Sequence, residues 1–282
     1  MTLYYECSDG TIINFISDTI SPEDPETLLR NSWEYSTISG VGGAARIKRF
    51  YKDAQESELT LEILADDAEQ YNEIMRQMNR CFEYDIRTMQ PGKLWWNGFY
   101  KEVFITEVEY ESFEELLESV TKKLVVLSTY PYWTKENVFS FLASDDTAGT
   151  LDYPYDYGSA AGTGFDYDQS AATDTITNDA VHESNFEIVF YGPVENPQIA
   201  ISGHYHTLYT TLSTGEYARI NSRTKKITKT GANGTRENIF RTRDRDSYVF
   251  QKVPPGLIAV NRARTMGVDV IIYDERGEPE WI

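Results

Sequence analysis

Apolar and polar residues alternate over much of residues 1–135, and this pattern predicts β-strands. Residues 3–6 and 11–16 are apolar-rich runs with the turn residues Ser8-Asp9-Gly10 between them, as in a β-hairpin. Leu59, Leu61 and Ile63 alternate with polar residues, which is typical of a half-buried strand. Further strands are predicted at residues 93–96, 101–110 and 120–130, with Asn97-Gly98 as the turn between the first two.

A helical period appears once, directly after the strand that contains Leu59. Asp66 is a good N-cap residue, and Glu69 stands at the spacing of a capping box. The apolar residues recur at helical spacing: Tyr71, Ile74, Met75, Met78 and Phe82. The helix is expected to end near residues 82–85, before Pro91-Gly92. Residues 1–135 are therefore predicted to form a mainly β, α+β domain with one covering helix.

The composition changes between residues 136 and 184, where Asp, Gly, Ser, Thr, Ala and Tyr dominate. The segment is too polar to form a core, but tyrosine-rich pieces such as Leu151-Asp152-Tyr153-Pro154-Tyr155-Asp156-Tyr157-Gly158 favour packing against another surface. We interpret residues 136–184 as a crossover between domains that contains a strand and a mobile loop.

Residues 185–282 are predicted to form a second domain, an antiparallel β-sandwich. Short alternating runs follow one another at roughly ten-residue spacing, and turn residues such as Gly192-Pro193 and Asn233-Gly234 separate them. The predicted strands are residues 186–190, 198–202, 207–212, 217–220, 248–250, 257–260 and 268–273.

The charge is strongly uneven along the chain. The net charge is −19 overall, made up of −22 over residues 1–190 and +3 over residues 191–282. Tight nucleic-acid binding by the first part is therefore not expected, because neutralising phosphates needs clustered cations. An acidic, solvated surface explains the charge, and a wall that repels DNA is the more specific alternative.

The two cysteines, Cys7 and Cys81, lie far apart and in no zinc-binding or redox spacing. Neither a metal site nor a disulfide framework is expected. With no apparent signal peptide and no apolar run long enough for a membrane span, we expect assembly in a reducing cytoplasm and no membrane insertion.

Candidate chemistry is weak throughout. His204 and His206 would share one face of a strand, but no third ligand stands at a recognisable spacing, so a pair of surface histidines is preferred to a metal site. The third histidine, His182, lies in the crossover. Gly40, Gly42 and Gly43 fit a dinucleotide fingerprint only loosely, and without a following helix they predict a turn. The carboxylate pairs Asp66-Asp67, Glu114-Glu115 and Asp145-Asp146 carry little weight among 45 acidic residues. No catalytic, cofactor-binding or metal-binding residue is assigned.

One stretch is cationic: Arg219, Arg223, Lys225, Lys226, Lys229, Arg236, Arg241, Arg243 and Arg245. Much of it is expected on turns of the sandwich. A solvated face, a protein or nucleic-acid contact, and a contact between this stretch and the acidic first domain of another subunit all remain open.

Several local patterns, in their order along the chain, resemble the distal tail proteins of siphophages. The matching segments are Gly42-Gly43-Ala44-Ala45-Arg46, the hairpin at residues 94–110, the aromatic crossover, Gly192-Pro193-Val194-Glu195-Asn196-Pro197-Gln198-Ile199, Gly215-Glu216-Tyr217-Ala218-Arg219-Ile220-Asn221-Ser222 and Val253-Pro254-Pro255-Gly256. The long insert at residues 144–182 and Asn221, where Asp is common, depart from the family pattern.

This resemblance implies a structural role and no enzyme activity. The first domain would form a β-sandwich or split barrel with one helix and assemble into a homohexameric ring around a channel, and the second would be a galectin-like sandwich outside it. The ring would join the tail tube protein to tail-tip, tail-associated or receptor-binding proteins at the virion tail tip, and DNA would pass without specific binding. The alternative is a carbohydrate-binding module for host-surface attachment, in which Tyr205, Tyr209 or Trp281 stacks on sugar.

Overall fold

The computed structural model describes residues 1–40, 42–114, 119–144 and 171–280. The chain divides into two compact units, unit 1 (Met1–Lys135 and Glu275–Ile282) and unit 2 (Glu136–Asp274). Most of the segment interpreted as a crossover, residues 145–170, lies outside the described residues, so the division into two domains and a crossover stays a prediction. Among the described residues, no helix is long and apolar enough to cross a membrane.

Unit 1 contains two antiparallel sheets that share one long strand. Its strands are β1 (Leu3–Glu6), β2 (Ile12–Asn14), β3 (Ile20–Pro22), β4 (Glu34–Ser39), β5 (Ala45–Tyr51), β6 (Gln55–Leu64), β7 (Gly92–Trp96), β8 (Phe99–Glu114), β9 (Ser119–Ser128) and the start of β10 (Trp133–Phe141). The first part of β8 pairs with β7, which continues to β1 and β2. Its second part pairs with β9, which continues to β6 and β3. The predicted hairpins and the strand around Leu59 are confirmed.

The predicted helix is α1 (Ala68–Thr88), which lies over the apolar core of unit 1. Its N-cap is Asp67, one residue later than expected, because the Asp67 carboxylate accepts a hydrogen bond from the backbone N–H of Gln70. The predicted end near residues 82–85 is wrong. The helix continues for another turn because Met89 adopts a left-handed conformation and the N–H of Gln90 reaches the carbonyl of Asp85, which closes a Schellman motif.

Asp85 ties this helix to the first strands through a fully buried carboxylate. It accepts hydrogen bonds from the Tyr5 hydroxyl, from the backbone N–H of Ser8 at 2.9 Å and from the Ser8 hydroxyl, and the Cys7 thiol lies 3.2 Å away. Burial and the neighbouring carboxylate raise the pKa of Tyr5 and of Cys7. Gly92 on β7 faces this cluster, and a Cβ there would collide with the Tyr5 hydroxyl group. The polar groups therefore fix the positions of β1, β7 and α1.

Unit 2 is a sandwich of antiparallel sheets, as predicted. Its strands are β11 (Ala171–Asn178), β12 (Phe186–Tyr191), β13 (Val194–Glu195), β14 (Gln198–Ile201), β15 (His204–Thr207), β16 (Thr211–Leu212), β17 (Tyr217–Asn221), β18 (Lys226–Thr230), β19 (Arg236–Asn238), β20 (Gly256–Ala263) and β21 (Val268–Arg276), whose last residues belong to unit 1. One sheet has the order β19-β18-β17-β12-β21 and the other β11-β20-β14-β15. Their inner faces meet in a single apolar core.

Two strand predictions in unit 2 are wrong. Residues 248–250 form a turn, and the strand expected at 207–212 is two shorter elements, β15 and β16. The cationic stretch lies partly on turns, as expected, but it also supplies two strands that were not predicted, β18 and β19. These strands form although their outward residues are charged, because Ile227 on β18 is fully buried against the sandwich core. The mainly β fold class with antiparallel sheets and one helix is confirmed.

Candidate assembly surfaces

The hairpin of β4 and β5, which we call the arm, is an exposed hairpin of unit 1 with several apolar side chains. Across residues 34–40 and 42–51, which the structure describes, each strand pairs only with the other. Most arm side chains are exposed on both faces. Gly42 and Gly43 adopt positive φ angles of 89° and 84° in its turn, so the glycine cluster serves a hairpin here. A two-stranded hairpin without a packing partner is only marginally stable in water.

An extra residue in β5 brings three apolar side chains of the arm, those of Tyr35, Ile47 and Phe50, onto one face. Tyr35 pairs with Phe50, and Thr37 pairs with Ile47, with the register shifting between these pairs. Because residues two apart on a strand share a face, Phe50 and Ile47 lie on the same side although they are three positions apart. Tyr35, Ile47 and Phe50 are each more than half exposed. The opposite face carries Ile38, Arg46 and Arg49.

The base of the arm is anchored by an aromatic cluster around Lys52. The Lys52 ammonium lies 5.1 Å from the ring centre of Trp33 and 4.5 Å from that of Tyr132, and it donates a hydrogen bond of 3.2 Å to the carbonyl of Pro131. Burial lowers the pKa of Lys52. These contacts hold the base of the arm, whereas the side chains of its apolar face remain exposed to solvent.

The sheet formed by β6, β9 and the second part of β8 has one buried and one acidic face. Leu59, Leu61 and Ile63 of β6 are completely buried on the inner side. The outer face carries a row of acidic side chains, which are Glu56, Glu58, Glu62, Glu107 and Glu109. Lys123 on β9 forms an ion pair of 2.8 Å with Glu58 on this face. The face as a whole is anionic.

The histidine pair of unit 2 is structural. The rings of His204 and His206 lie 5.0 Å apart on β15, as expected for alternate strand residues. His206 is only 1% exposed, so the expectation of two surface histidines is wrong for this residue. Its Nδ1 lies 2.8 Å from the carbonyl oxygen of Val249, and Phe186 packs on its ring. Burial lowers the pKa of His206 to about 4. The described residues contain no group of three metal-binding side chains around the pair.

The cations of unit 2 fall into two groups. Several are used inside the sandwich, as Arg219 is in an ion pair of 3.0 Å with Glu187 and Lys229 in one of 2.8 Å with Glu216. Others line a cleft of about 540 Å³, together with Tyr209, Asp244 and Asp246. These lining cations are Arg241, Arg243 and Arg245.

The remaining sequence candidates are accounted for by local structure or lie outside the described residues. Asp67 caps α1, and His182 is exposed near the start of the sandwich. Asp145-Asp146, Glu115 and Trp281 lie outside the described residues. The arm escaped the sequence analysis, although Tyr35, Ile38, Ile47 and Phe50 on either side of the glycine cluster are the pattern of an apolar hairpin.

No protein-family model matches the chain, and no curated protein sequence matches it. Solved structures match over almost its full length. The SPP1 Dit protein (gp 19.1), a hub of the adsorption apparatus in phages that infect Gram-positive bacteria, has a TM-score of 0.59 at 10% identity, with 97% of this chain and 98% of that chain covered.

Two chains from the phage P2 baseplate in its activated conformation are also similar. The one with Ca has a TM-score of 0.60 at 12% identity and covers 99% of this chain and 100% of its own. The one with Sr has a TM-score of 0.61 at 11% identity and covers 99% of each chain. The chain therefore has the fold of the SPP1 Dit protein and of a phage baseplate chain, which confirms the fold suggested by the resemblance.

Proposed function

We propose that this chain is a structural component of a phage tail tip or baseplate. Copies join through unit 1 into a hexameric ring, and the ring connects the tail tube protein with tail-tip or receptor-binding proteins. The full-length likeness to the SPP1 Dit protein and to P2 baseplate chains supports this role. The proposal assigns no catalytic residue, cofactor or metal to the chain.

The observation that carries the proposal is the arm. An apolar face formed by Tyr35, Ile47 and Phe50 leaves most of each side chain in water. Burying one such side chain completely contributes roughly 1.5–3 kcal/mol, so three of them supply a substantial part of a subunit contact. A neighbouring copy is the partner that the arm fits. In the proposed ring the arm packs on a different patch of the next copy, so the contact is head-to-tail, and six such contacts related by rotation close the ring.

The acidic sheet face gives the ring a suitable channel wall. Glu58 on β6 and Glu107 and Glu109 on β8 stand on either side of β9, so carboxylates flank this strand and give the face a net negative charge. A wall of carboxylates repels DNA phosphates, so a genome moves past without binding. In the proposed ring this face lines the channel, and virions are assembled from subunits made in the host cytoplasm.

The experiment is negative-stain electron microscopy of the purified chain combined with light scattering. We expect rings whose mass is six times that of the 32.3 kDa chain. Ile47→Asp should abolish the rings, because it places a charge in the contact. The matched control is Ile38→Asp, which makes the same change at similar exposure on the opposite face of the arm and should leave the rings intact.

A wild-type protein that stays monomeric at every concentration contradicts the ring. Rings that persist in Ile47→Asp contradict the role of the arm. The sugar-binding alternative predicts a monomer whose unit 2 binds glycans, and Tyr209 at the cleft of unit 2 is the observation that favours testing it.

A further inference from the structure

The cleft of unit 2 is held rigidly by backbone hydrogen bonds. The N–H of Tyr209 donates to the carbonyl of Thr242 at 2.7 Å, and the N–H of Asp244 donates to the carbonyl of Thr207 at 3.1 Å. An isolated β-bridge joins Leu208 and Arg243 between them. The segment that carries the arginines therefore runs beside residues 207–209 with its geometry fixed. A preformed site loses little conformational entropy when a ligand binds.

Two of the three arginines in the cleft are available for a ligand. Arg243 donates a hydrogen bond of 2.9 Å to the carbonyl of Phe240, and its guanidinium lies 3.9 Å from the centre of the Phe240 ring. Arg241 and Arg245 are exposed, and neither forms an ion pair among the described residues. A guanidinium presents a planar fork of donors that matches the oxygens of phosphate.

The other residues of the cleft distinguish between possible anions. Tyr209 is 56% exposed and offers a flat aromatic ring, while Asp244 and Asp246 bring two carboxylates into the same space. The two carboxylates offset part of the positive charge of the three arginines, so the lining suits a single anionic group better than a polyanion. They also accept hydrogen bonds, which the hydroxyl groups of a sugar can donate. The lining therefore suits a ligand with one anionic group and several hydroxyls.

We propose that this cleft binds a phosphate-bearing saccharide. Arg241 and Arg245 hold the phosphate, Tyr209 packs against the sugar ring, and the carboxylates of Asp244 and Asp246 accept hydrogen bonds from sugar hydroxyls. The inference does not depend on the proposed ring, since all of these residues belong to unit 2 of one chain.

The experiment is isothermal titration calorimetry of the full chain with glucose 1-phosphate, with glucose and inorganic phosphate as separate probes. Glucose 1-phosphate should bind more tightly than either probe alone, and Arg241→Ala/Arg245→Ala should weaken its binding at least tenfold, roughly the loss of one charge-assisted hydrogen bond. Tyr209→Ala should weaken glucose 1-phosphate more than inorganic phosphate. Arg236→Ala is the matched control, because it removes an exposed arginine of the same unit outside the cleft.

No binding of glucose 1-phosphate, or equal weakening by Arg236→Ala, overturns the proposal. So does a result in which the double variant binds the sugar phosphate normally. If the double variant instead loses rings while the wild type binds no sugar phosphate, the cleft is a contact between subunits. Thermal melting of each variant confirms that these surface changes leave the fold intact.

Discussion

Two hairpins of unit 1 are built from similar residues but differ in what they bury. In the hairpin of β7 and β8, Leu94, Trp96 and Phe99 are at most 1% exposed and form part of the core. In the arm, Tyr35, Ile47 and Phe50 are equally apolar but remain largely in water. The same strand chemistry therefore builds the core in one hairpin and leaves an exposed apolar face in the other. The apolar content of the two hairpins does not distinguish them, but the effect of a substitution on the free energy of unfolding should.

The largest expected difference concerns the two aromatic side chains. Trp96→Ala should lower the free energy of unfolding by about 3–5 kcal/mol, because it leaves a cavity in the core of unit 1. Phe50→Ala should change it by about 0.5 kcal/mol or less, since the ring packs on little within its own chain. Urea denaturation of both variants in the Ile47→Asp background, which is expected to be monomeric, gives the comparison. Equal losses would show that the arm is part of the core.

A third hairpin, β14 and β15 in unit 2, sharpens the comparison because its buried face includes the titratable residue His206. The pKa of His206 is lowered from its ordinary value of 6.5 to about 4 in the folded protein. As the pH is lowered, the unfolded chain therefore binds a proton at this residue before the folded chain does. Stability is therefore lost between pH 6.5 and 4 and should fall by about 3 kcal/mol over this range. His206→Gln should remove this part of the pH dependence. The free energy of unfolding of both proteins is measured by urea denaturation at each pH. The same pH dependence in the wild type and in His206→Gln would contradict the prediction.

The smallest expected effect comes from the turns. Gly98 and Gly43 have φ angles of +83° and +84°, and a Cβ at either position would have open space around it. Alanine in this conformation costs about 1 kcal/mol. Gly98→Ala should therefore lower the global stability by that amount, whereas Gly43→Ala should only speed amide hydrogen exchange within the arm. A loss of global stability in Gly43→Ala would mean that the arm folds cooperatively with unit 1.

Patterns of residues close in sequence correctly predicted those strands and the helix whose apolar side chains pack into the core of their own unit. The alternation at Leu59, Leu61 and Ile63, the helical stripe that ends at Phe82 and the Asn97-Gly98 turn all appear in the structure. Each depends on residues near one another in sequence, and so each was visible without knowledge of distant partners.

The features that escaped prediction depend on distant contacts. Asp85 is buried because Tyr5 and Ser8 return to it across nearly 80 residues. Part of the cationic stretch forms a strand because β18 adds to β17 in the sandwich sheet, and His206 is buried because Phe186 and Val249 cover it. The exposure of the arm also escaped prediction. Its apolar pattern predicts strands, but it does not show whether other parts of the chain cover them.

The return of residues 275–282 to unit 1 has a consequence for biosynthesis. In that segment the backbone carbonyl of Glu280 accepts a hydrogen bond of 3.3 Å from the Asn97 side chain, and Gly277 lies so close to Asn31 that a Cβ would not fit. A ribosome therefore delivers all of unit 2 before it delivers this last piece of unit 1. A nascent chain can complete unit 2 while unit 1 still lacks the segment that contacts Asn31 and Asn97, so unit 1 reaches its final form only late in translation.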